Sequence, residues 1–408
     1  MLLILLMAFG GYILYSNYVN KEIPKLNVEE EVINIDKIFI YGNHFNLHGN
    51  LINDENLELV LYNGEFLSFK INDTSDGFNL NDNVNEGILL DDIPVGKYFM
   101  FLRSTNDDEK RDGTYKYYVL KNNSEYKETS FYTFSNIGNK IVISSDDDYA
   151  TLMMTVNKNN DDNIFDVVID PGHGGMDSGA SKNGYKETDF TMRAALSLKD
   201  KMEAYGVKVK LTREKEQLTL NETLPNYGLH GRAVIPHEVN AKYIFSLHLN
   251  SSNYSSANGL EIYTAQNINY DFAKKLVKNI TENAKTNISK NPVNRVFDGV
   301  YTRTFTESDI NSSIKEYKQK KMEPYDLTTK SNYYYMIRET GGIVTGAYVD
   351  NRNESIGENP YYNSNVGCET YLIELGYITN KNDVENINNN LDKYTNAIAN
   401  TFKTVFVK

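Results

Sequence analysis

The chain has 408 residues, a length that favours two or three domains over one compact core. Hydrophobic residues make up 40% of it, which is enough to build cores and excludes a wholly disordered protein. The formal net charge of -13 argues against a protein that mainly binds nucleic acid, because phosphate binding requires clustered lysines and arginines. The single cysteine, Cys368, excludes an intramolecular disulfide framework, so a metal must be bound by histidines and carboxylates. We expect Cys368 to be a small buried side chain rather than a catalytic thiol.

The N-terminus is apolar from Leu2 to Val19, and no charged side chain occurs before Lys21. A helix of this length spans about 27 Å, which just crosses the core of a bilayer. We expect residues 1–20 to be a signal anchor or a signal peptide, followed by a linker over residues 21–32. The anchor is favoured because no clean cleavage site follows, and a buried core helix is the remaining alternative. Both leading readings predict that the rest of the chain is extracytoplasmic.

Residues 33–157 carry short apolar and aromatic runs separated by asparagine, aspartate and glycine, which is typical of closely spaced strands. No long helical pattern interrupts them, so we predict an all-β, sandwich-like domain. The predicted strands are KIFIYG, LELVLY, FLSFKI, KYFMFLR, YKYYVL, SFYTF, NKIVIS and TLMMTV. His44 and His48 lie four residues apart here, but the neighbouring glycines and asparagines favour strand and turn over a helical metal pair.

From residue 165 onward, strands alternate with helices, which predicts an α/β domain with a twisted, mixed or parallel sheet flanked by helices. The predicted strands are FDVVID, VKVKLT, YIFSLH, GLEIYT and YLIELG. The predicted helices cover residues 188–205, 229–240, 270–286 and 384–402. Sheets of this kind place their functional residues at the carboxyl ends of strands.

Polar side chains occur at or just after three of these strand ends, namely His173, His248 and Glu374. His173 lies in a glycine-rich turn, which permits the tight backbone path that an inward-facing imidazole requires. Glu187 lies at the start of the next helix, where the helix N-terminus favours an anion. Two imidazoles and one carboxylate match a catalytic zinc site, in which three protein ligands leave a fourth position for water. Glu374 is then an additional carboxylate.

The motifs around these residues resemble those of the zinc-dependent N-acetylmuramoyl-L-alanine amidases of the amidase 3 type. In the order typical of that family, the chain contains VVIDPGHGGMDSGASKNGYKETDF, KLTRE, HGRAVIPHEVNAKYIFSLHLNSS, GLEIYTA and YLIELGYITNKND, across residues 165–408. The resemblance implies that one zinc ion is bound by His173, Glu187 and His248, and that Glu374 is the catalytic carboxylate. It also implies hydrolysis of the amide between the lactyl group of N-acetylmuramic acid and L-alanine in peptidoglycan.

Under that mechanism, Glu374 accepts a proton from water and passes it to the departing alanine nitrogen. We expect Asp177 or backbone N–H groups of the glycine-rich turn to orient His173. Guanidinium groups stay protonated and are poor bases, so nearby arginines are expected to be structural or to position substrate. Arg213 and Arg232 are the arginines in question, and Asn250 is also expected to position substrate or to support the site. Surface or packing roles are expected for His230 and His237.

Residues 291–367 form an insertion that is longer than the connections typical of compact α/β units. The segment is rich in tyrosine, asparagine and arginine, which fits a lid or wall of a groove for saccharide and peptide. An autoinhibitory plug and a purely structural subdomain are the alternatives. We favour the wall, because binding loops are the commoner use of long ordered insertions.

Two other functions remain open at this stage. One is a non-catalytic cell-wall-binding or division scaffold that keeps the fold, and the other is a zinc peptidase that acts on the stem peptide. The expected partners are peptidoglycan, the membrane through the N-terminal segment, and an activator or division protein through the β domain. Nucleic acid is not expected. The expected location is the cell membrane or the cell wall of a bacterium.

Overall fold

The computed structural model describes residues 31–50, 56–105, 115–146, 150–175, 177–214, 230–319, 326–345 and 364–407, together with residues 26, 28, 321, 324 and 361. The predicted anchor over residues 1–20 lies outside the described residues, as does most of the predicted linker. Within the described part of the chain, no helix combines the length and the apolar composition needed to span a membrane.

The described residues between 32 and 158 form strands joined by turns and one short 3-10 helix, Leu90–Asp92. The strands are β1 Val32–Tyr41, β2 His44–Asn50, β3 Leu57–Tyr62, β4 Phe66–Lys70, β5 Asn72–Asp73, β6 Gly77–Asn79, β7 Ile88–Leu89, β8 Gly96–Ser104, β9 Tyr117–Asn122, β10 Thr129–Tyr132, β11 Asn139–Ser145 and β12 Leu152–Lys158. Their main order is β10-β11-β12-β8-β9-β1-β2-β6-β5, and β3, β4 and β7 branch from it. Each of the eight predicted runs contains a strand. The sandwich-like packing and the domain boundaries stay predictions.

Strand β3 shows why these runs are apolar on both faces. Successive side chains of a strand point to opposite faces. Leu59 and Leu61 accordingly pack into a large core shared by most of the β-rich strands. Val60 and Tyr62 pack into a second, smaller cluster with Phe99. Burial on both faces explains the continuous run LELVLY, which does not show the alternation of a strand with one solvated face.

A seven-stranded mixed sheet lies in the C-terminal part, with the order β16-β13-β17-β22-β18-β20-β19. The strands are β13 Val167–Pro171, β14 Ser181–Lys182, β15 Tyr185–Lys186, β16 Val209–Leu211, β17 Tyr243–Asn250, β18 Glu261–Thr264, β19 Arg295–Phe297, β20 Val300–Thr302, β21 Val366–Gly367 and β22 Glu369–Tyr377. Strands β16, β13, β17 and β22 are parallel, whereas β18 is antiparallel to β22. The short strands β14 and β15 pair only with each other. The predicted mixed sheet is confirmed.

The helices of this part are α1 Glu187–Glu203, α2 Ile235–Glu238, α3 Asp271–Ala284, α4 Glu307–Gln319, α5 Tyr335–Thr340 and α6 Lys381–Phe406, with a 3-10 turn at Gly342–Thr345. Helices α1, α3, α5 and α6 contact the sheet, whereas α4 has no buried residue. Along α1, the apolar stripe that includes Leu198 and Met202 is buried in the core of the sheet. The predicted helix over residues 229–240 is too long, because α2 is a single turn. His230 and Asn240, with φ of 62° and 53°, take a left-handed conformation that a helix does not continue through.

Residues 291–367 contribute to both sheets. Strand β20 adds to the C-terminal sheet parallel to β18. Strand β21 instead pairs in parallel with β1 of the β-rich part, where Ile40 lies opposite Val366. This inserted segment is therefore hydrogen-bonded to the backbone of both parts of the chain.

A buried carboxyl group also links the two parts. Glu369, at the start of β22, accepts hydrogen bonds from Tyr371 Oη and from Asn85 Nδ2, the latter at 2.8 Å. The side chain of Asn85 also bonds both backbone groups of Asn269, at 2.7 Å and 3.1 Å. Burial raises the pKa of Glu369 to about 7, while both donors act in the opposite direction. A carboxyl that is costly to bury therefore depends on a donor 284 positions earlier in the chain.

We predict that Asn85→Ala lowers the free energy of unfolding by about 1–3 kcal/mol, because it removes a donor from a buried carboxyl. Chemical denaturation of the full chain measures the change. Asn136→Ala is the matched control, since Asn136 is exposed. Equal unfolding midpoints for the two variants would show that the Asn85 contact contributes nothing.

Candidate metal centre and active site

The floor of the site contains a buried carboxylate, Asp170, near the end of β13. It is fully buried and accepts hydrogen bonds from Thr212 Oγ1 at 2.6 Å, Ser246 Oγ at 2.7 Å and Arg232 Nη2 at 2.8 Å. Burial alone raises the pKa of Asp170, but the Arg232 charge and the hydroxyl donors outweigh it and hold the pKa below its usual range. An ionised Asp170 thus ties together the ends of β13, β16 and β17 and the segment before α2.

Two buried arginines fix the turn that follows. Arg232 Nη2 donates to the carbonyl of Pro171 at 3.0 Å, and its Nη1 donates to the carbonyl of His173 at 3.2 Å. Arg213 Nε also donates to the carbonyl of Pro171, at 3.1 Å, and Nη2 reaches the carbonyl of Gly172 at 3.3 Å. His173 has a φ of 60°, a left-handed conformation that is unfavourable for a side chain with a Cβ. The two guanidinium groups stabilise the backbone of this turn and so maintain the left-handed conformation of His173.

Two imidazoles and one carboxylate meet above this turn. His173 Nε2 lies 3.2 Å from Glu187 Oε1, and His248 Nδ1 lies 3.1 Å from the same oxygen. One possible ligand atom from each residue falls within 4.8 Å of the others. Glu187 also accepts hydrogen bonds from the backbone N–H groups of Leu249 and Ala180, both at 2.9 Å. The three side chains form a compact donor set on three different elements.

The charges in this cluster depend on one another. Burial raises the pKa of Glu187, but its hydrogen bonds with His173 and His248 outweigh burial and hold the pKa well below the usual range. Burial lowers the pKa of His173, yet its contact with Glu187 and then that with Asp177 raise the pKa above the ordinary value. Asp177 Oδ2 lies 2.7 Å from His173 Nδ1. If Nδ1 carries the proton for that bond, Nε2 is free to bind a metal.

Two glycines leave the space that the cluster occupies. A Cβ added to Gly172 would lie 2.4 Å from Cε1 of His248. A Cβ added to Gly179 would lie 2.6 Å from Cδ2 of His173 and 2.7 Å from Oε2 of Glu187, and Gly179 has a φ of 62°. Any larger residue at either position must displace the side chains of the cluster.

Glu374 lies next to the cluster on β22. Its Cα is opposite that of His248 in the parallel pair β17 and β22. Its side chain is buried, and Oε2 has no hydrogen-bond partner among the described residues. Burial, and then the charges of Glu187 and Glu261, raise the pKa of Glu374 well above the usual range of a carboxyl group. A buried acid without a donor is poised to hold a proton.

Glu261, which the sequence analysis did not single out, lies opposite Glu374 in the antiparallel pair β18 and β22. It is fully buried and accepts four hydrogen bonds. Its donors, at 2.6–2.9 Å, are Asn250 Nδ2, Tyr263 Oη, Ser289 Oγ and Tyr377 Oη. These four donors satisfy the acceptor oxygens of Glu261, which contrasts with the unpartnered oxygen of Glu374. The sequence feature that could have identified Glu261 is a charged residue at the start of the otherwise apolar strand EIYT.

The cluster and Glu374 open into one cavity of about 330 Å³. The lining residues are His173, Ala180, Glu187, His248, Leu249, Asn250, Ser251, Tyr334, Tyr335, Met336, Leu372 and Glu374. Residues 334–336 belong to the segment 291–367, so this segment does reach the cavity. Asp177 is not part of the lining but contacts the ring of His173. Arg213 and Arg232 are also not part of the lining and contact the backbone of the turn that carries His173.

The two remaining histidines of this part do not line the cavity. His230 is exposed, with its Nδ1 3.1 Å from Glu238 Oε2. His237 is buried, with its Nε2 3.3 Å from the carbonyl of Glu339, and burial lowers its pKa. Cys368 is also buried, and burial raises the pKa of its thiol to about 12. Cys368 is therefore an unreactive packing residue at neutral pH.

The chain belongs to the amidase 3 family, described as N-acetylmuramoyl-L-alanine amidase, because the family model matches residues 167–404, more than half of the chain. This match confirms the resemblance found in the motifs. Over 100 residues the chain is 36% identical to the probable cell wall amidase LytH of Staphylococcus saprophyticus, a match that covers 24% of this chain and 30% of that protein. The chain thus spans less than a third of that curated relative.

Two similar solved structures have low TM-scores. Cwp6 from Clostridium difficile is 24% identical, with a TM-score of 0.40, over 60% of this chain and 30% of that chain. The N-acetylmuramoyl-L-alanine amidase AmiC2 of Nostoc punctiforme is 23% identical, also with a TM-score of 0.40, over 61% of this chain and 100% of that chain.

We predict that Gly172→Ala weakens metal binding by about 10–100-fold, because the added Cβ displaces the ring of His248. Isothermal titration calorimetry with Zn²⁺ measures the affinity. Ser181→Ala is the control, because Ser181 is exposed and the change adds no atom next to the cluster. Wild-type affinity in Gly172→Ala would show that His248 is not held where the metal binds.

Proposed function

We propose that this protein is a zinc-dependent N-acetylmuramoyl-L-alanine amidase that cuts the amide between the lactyl group of N-acetylmuramic acid and L-alanine in peptidoglycan. The observation that carries the proposal is the shared cavity, in which His173, Glu187 and His248 lie beside the unpartnered carboxyl of Glu374. The membership of the family supports the same reaction.

The donor set fits zinc. Two imidazoles and one carboxylate are ligands that zinc accepts in catalytic sites, and three protein ligands leave a position for water or substrate. His173, Glu187 and His248 would hold one ion, with Asp177 orienting the ring of His173 through Nδ1. Bound zinc supplies a Lewis acid, which makes a water molecule more acidic and polarises an amide carbonyl.

Glu374 moves the proton in the proposed mechanism. Its carboxylate takes a proton from the attacking water while the new C–O bond forms at the lactyl carbonyl. It then delivers that proton to the alanine nitrogen as the C–N bond breaks, which leaves a lactyl carboxyl group and a free amino group. The burial of Glu374 and the lack of a donor on Oε2 support this role, because that oxygen is free to accept a proton from water.

The other predicted residues position these groups. Arg213 and Arg232 hold the turn of His173, and Asn250 lines the cavity while it donates to Glu261. The three residues Tyr334–Met336 form part of the cavity wall, which favours a substrate-binding role for the inserted segment. We place the enzyme outside the cytoplasm, in contact with the cell wall, because its proposed substrate is peptidoglycan.

Digestion of purified cell walls tests the function directly. Incubation with the full chain, with and without a chelator, followed by mass spectrometry, should yield free stem peptides that begin with L-alanine in the sample without chelator. Shortened stems that stay attached to muramic acid would instead indicate a zinc peptidase. Unchanged walls in the presence of added zinc would indicate a non-catalytic wall-binding or division scaffold.

We predict that His248→Ala loses stoichiometric zinc, because two remaining protein ligands hold the ion poorly. Metal analysis of the purified variant after dialysis measures the zinc content. His230→Ala is the matched control, because His230 is exposed and does not line the cavity. One zinc per chain in His248→Ala would rule out His248 as a ligand.

We predict that Glu374→Gln keeps zinc and lowers kcat by about 10²–10⁴-fold, because the amide preserves the shape of the side chain and removes the base. The release of stem peptides from cell walls measures turnover, and metal analysis measures zinc. Glu282→Gln, at an exposed position of α3, is the control. Near-normal turnover by Glu374→Gln would refute the assigned role.

A further inference from the structure

Arg303 differs from the other arginines that the structure describes. It is half-buried just after β20, and its guanidinium carbon lies 3.3 Å from the centroid of the Tyr333 ring. Within the described residues its side chain has neither a hydrogen bond nor an ion pair, whereas the others have protein acceptors. Those arginines are Arg103, Arg193, Arg213, Arg232, Arg295 and Arg338. Arg303 is therefore a cation held on an aromatic face without a direct hydrogen bond or ion pair among the described residues, and the acid that senses its charge, Asp309, makes no ion pair with it.

The backbone around this pair is fixed. Tyr333 N donates to the carbonyl of Arg303 at 2.8 Å, and Phe305 N donates to the carbonyl of Ser331 at 3.1 Å. The buried side chain of Arg338 donates to the carbonyl of Tyr333 at 3.0 Å. The rings of Phe305 and Tyr333 also pack against each other, with centroids 5.1 Å apart. The position of Arg303 over Tyr333 is thus set by the fold before a ligand arrives.

A row of rings connects this pair to the cavity. The centroids of Tyr333 and Tyr334 are 5.6 Å apart, and Tyr334 lines the cavity together with Glu374. Tyr263 packs on the other side of Tyr334, at 4.6 Å. Arg303 therefore lies one ring beyond the lining, within reach of a substrate that extends from the cavity.

The charges favour an anionic group at this place. Glu187 and Glu374 line the cavity and Glu261 lies beside Glu374, so the described lining itself supplies no lysine or arginine for an acidic substituent of the substrate. A guanidinium that stacks on a ring keeps its N–H edge available, and that edge matches a carboxylate with two parallel hydrogen bonds. The nearby acid Asp309 already accepts hydrogen bonds from Thr306 N and Oγ1, at 2.9 Å and 2.7 Å.

We propose that Arg303, stacked on Tyr333, binds a carboxylate of the stem peptide and makes the enzyme prefer acidic stems over amidated ones. The inference rests on the proposed amidase function for the identity of the substrate. The proposal gives the inserted segment 291–367 a role in substrate specificity that is separate from the proposed metal ligands.

The test compares two muramyl tripeptides that differ only in a free carboxylate or a carboxamide on the residue after L-alanine. Wild-type protein should have the higher kcat/KM on the acidic tripeptide. Arg303→Gln should lower kcat/KM on that substrate by about 10–100-fold, mainly through KM, since a hydrogen bond to a charged group is lost. The amidated tripeptide and the zinc content should be unaffected. Arg303→Lys should restore part of the preference, because it keeps the charge without the planar fork.

Arg295→Gln is the matched control, because Arg295 lies in the same inserted segment but its guanidinium pairs with Asp298. Calorimetric binding of both tripeptides to zinc-loaded Glu374→Gln, with and without Arg303→Gln, separates recognition from catalysis. A binding preference without hydrolysis of the lactyl amide would support the Arg303 site and refute the amidase function. Hydrolysis with no preference between the tripeptides, or no binding of either, would overturn the Arg303 site.

Discussion

The buried ion pair between Asp170 and Arg232 is the interaction on which the site depends. Asp170 on β13 bonds Thr212 just after β16, Ser246 on β17 and Arg232 before α2. Arg232 then extends to the carbonyl of His173 and so fixes the turn that presents this imidazole. Desolvation offsets most of the attraction in such a pair, whereas removal of one partner costs about 3–5 kcal/mol. The main effect of the pair is therefore to define geometry.

Strand β22 carries two buried acids with different roles. Glu369, at its start, has hydrogen-bond donors from Tyr371 and from Asn85 of the β-rich part. Glu374, further along the strand, has no partner for Oε2 among the described residues. Burial raises the pKa of both groups, but only the first has donors that compensate for its burial. The first acid joins the two parts of the chain, and the second is left available for proton transfer.

Local patterns predicted much of the fold. Strand β3 and helix α1 follow from the spacing of their apolar residues, and the sequence motifs alone group His173, Glu187 and His248 as one ligand set. The sequence favours a wall formed by residues 291–367, but Glu261 and the residues that line the cavity within this segment, Tyr334–Met336, could not be predicted in this way. Their positions depend on the antiparallel placement of β18 beside β22 and on the return of the inserted segment to the cavity, which are long-range properties. The helix predicted over residues 229–240 is longer than α2, because apolar spacing does not reveal that His230 and Asn240 take left-handed conformations.

The burial of Cys368 has a practical consequence. It is the only cysteine in the chain, and with a pKa raised to about 12 its thiol stays protonated and shielded from reagents at neutral pH. A cysteine introduced at Tyr254, which is 76% exposed and lies three residues after the cavity-lining Ser251, would be the one reactive thiol of the molecule. A fluorophore or spin label attached there could report the arrival of a glycan strand without any background from the native sequence.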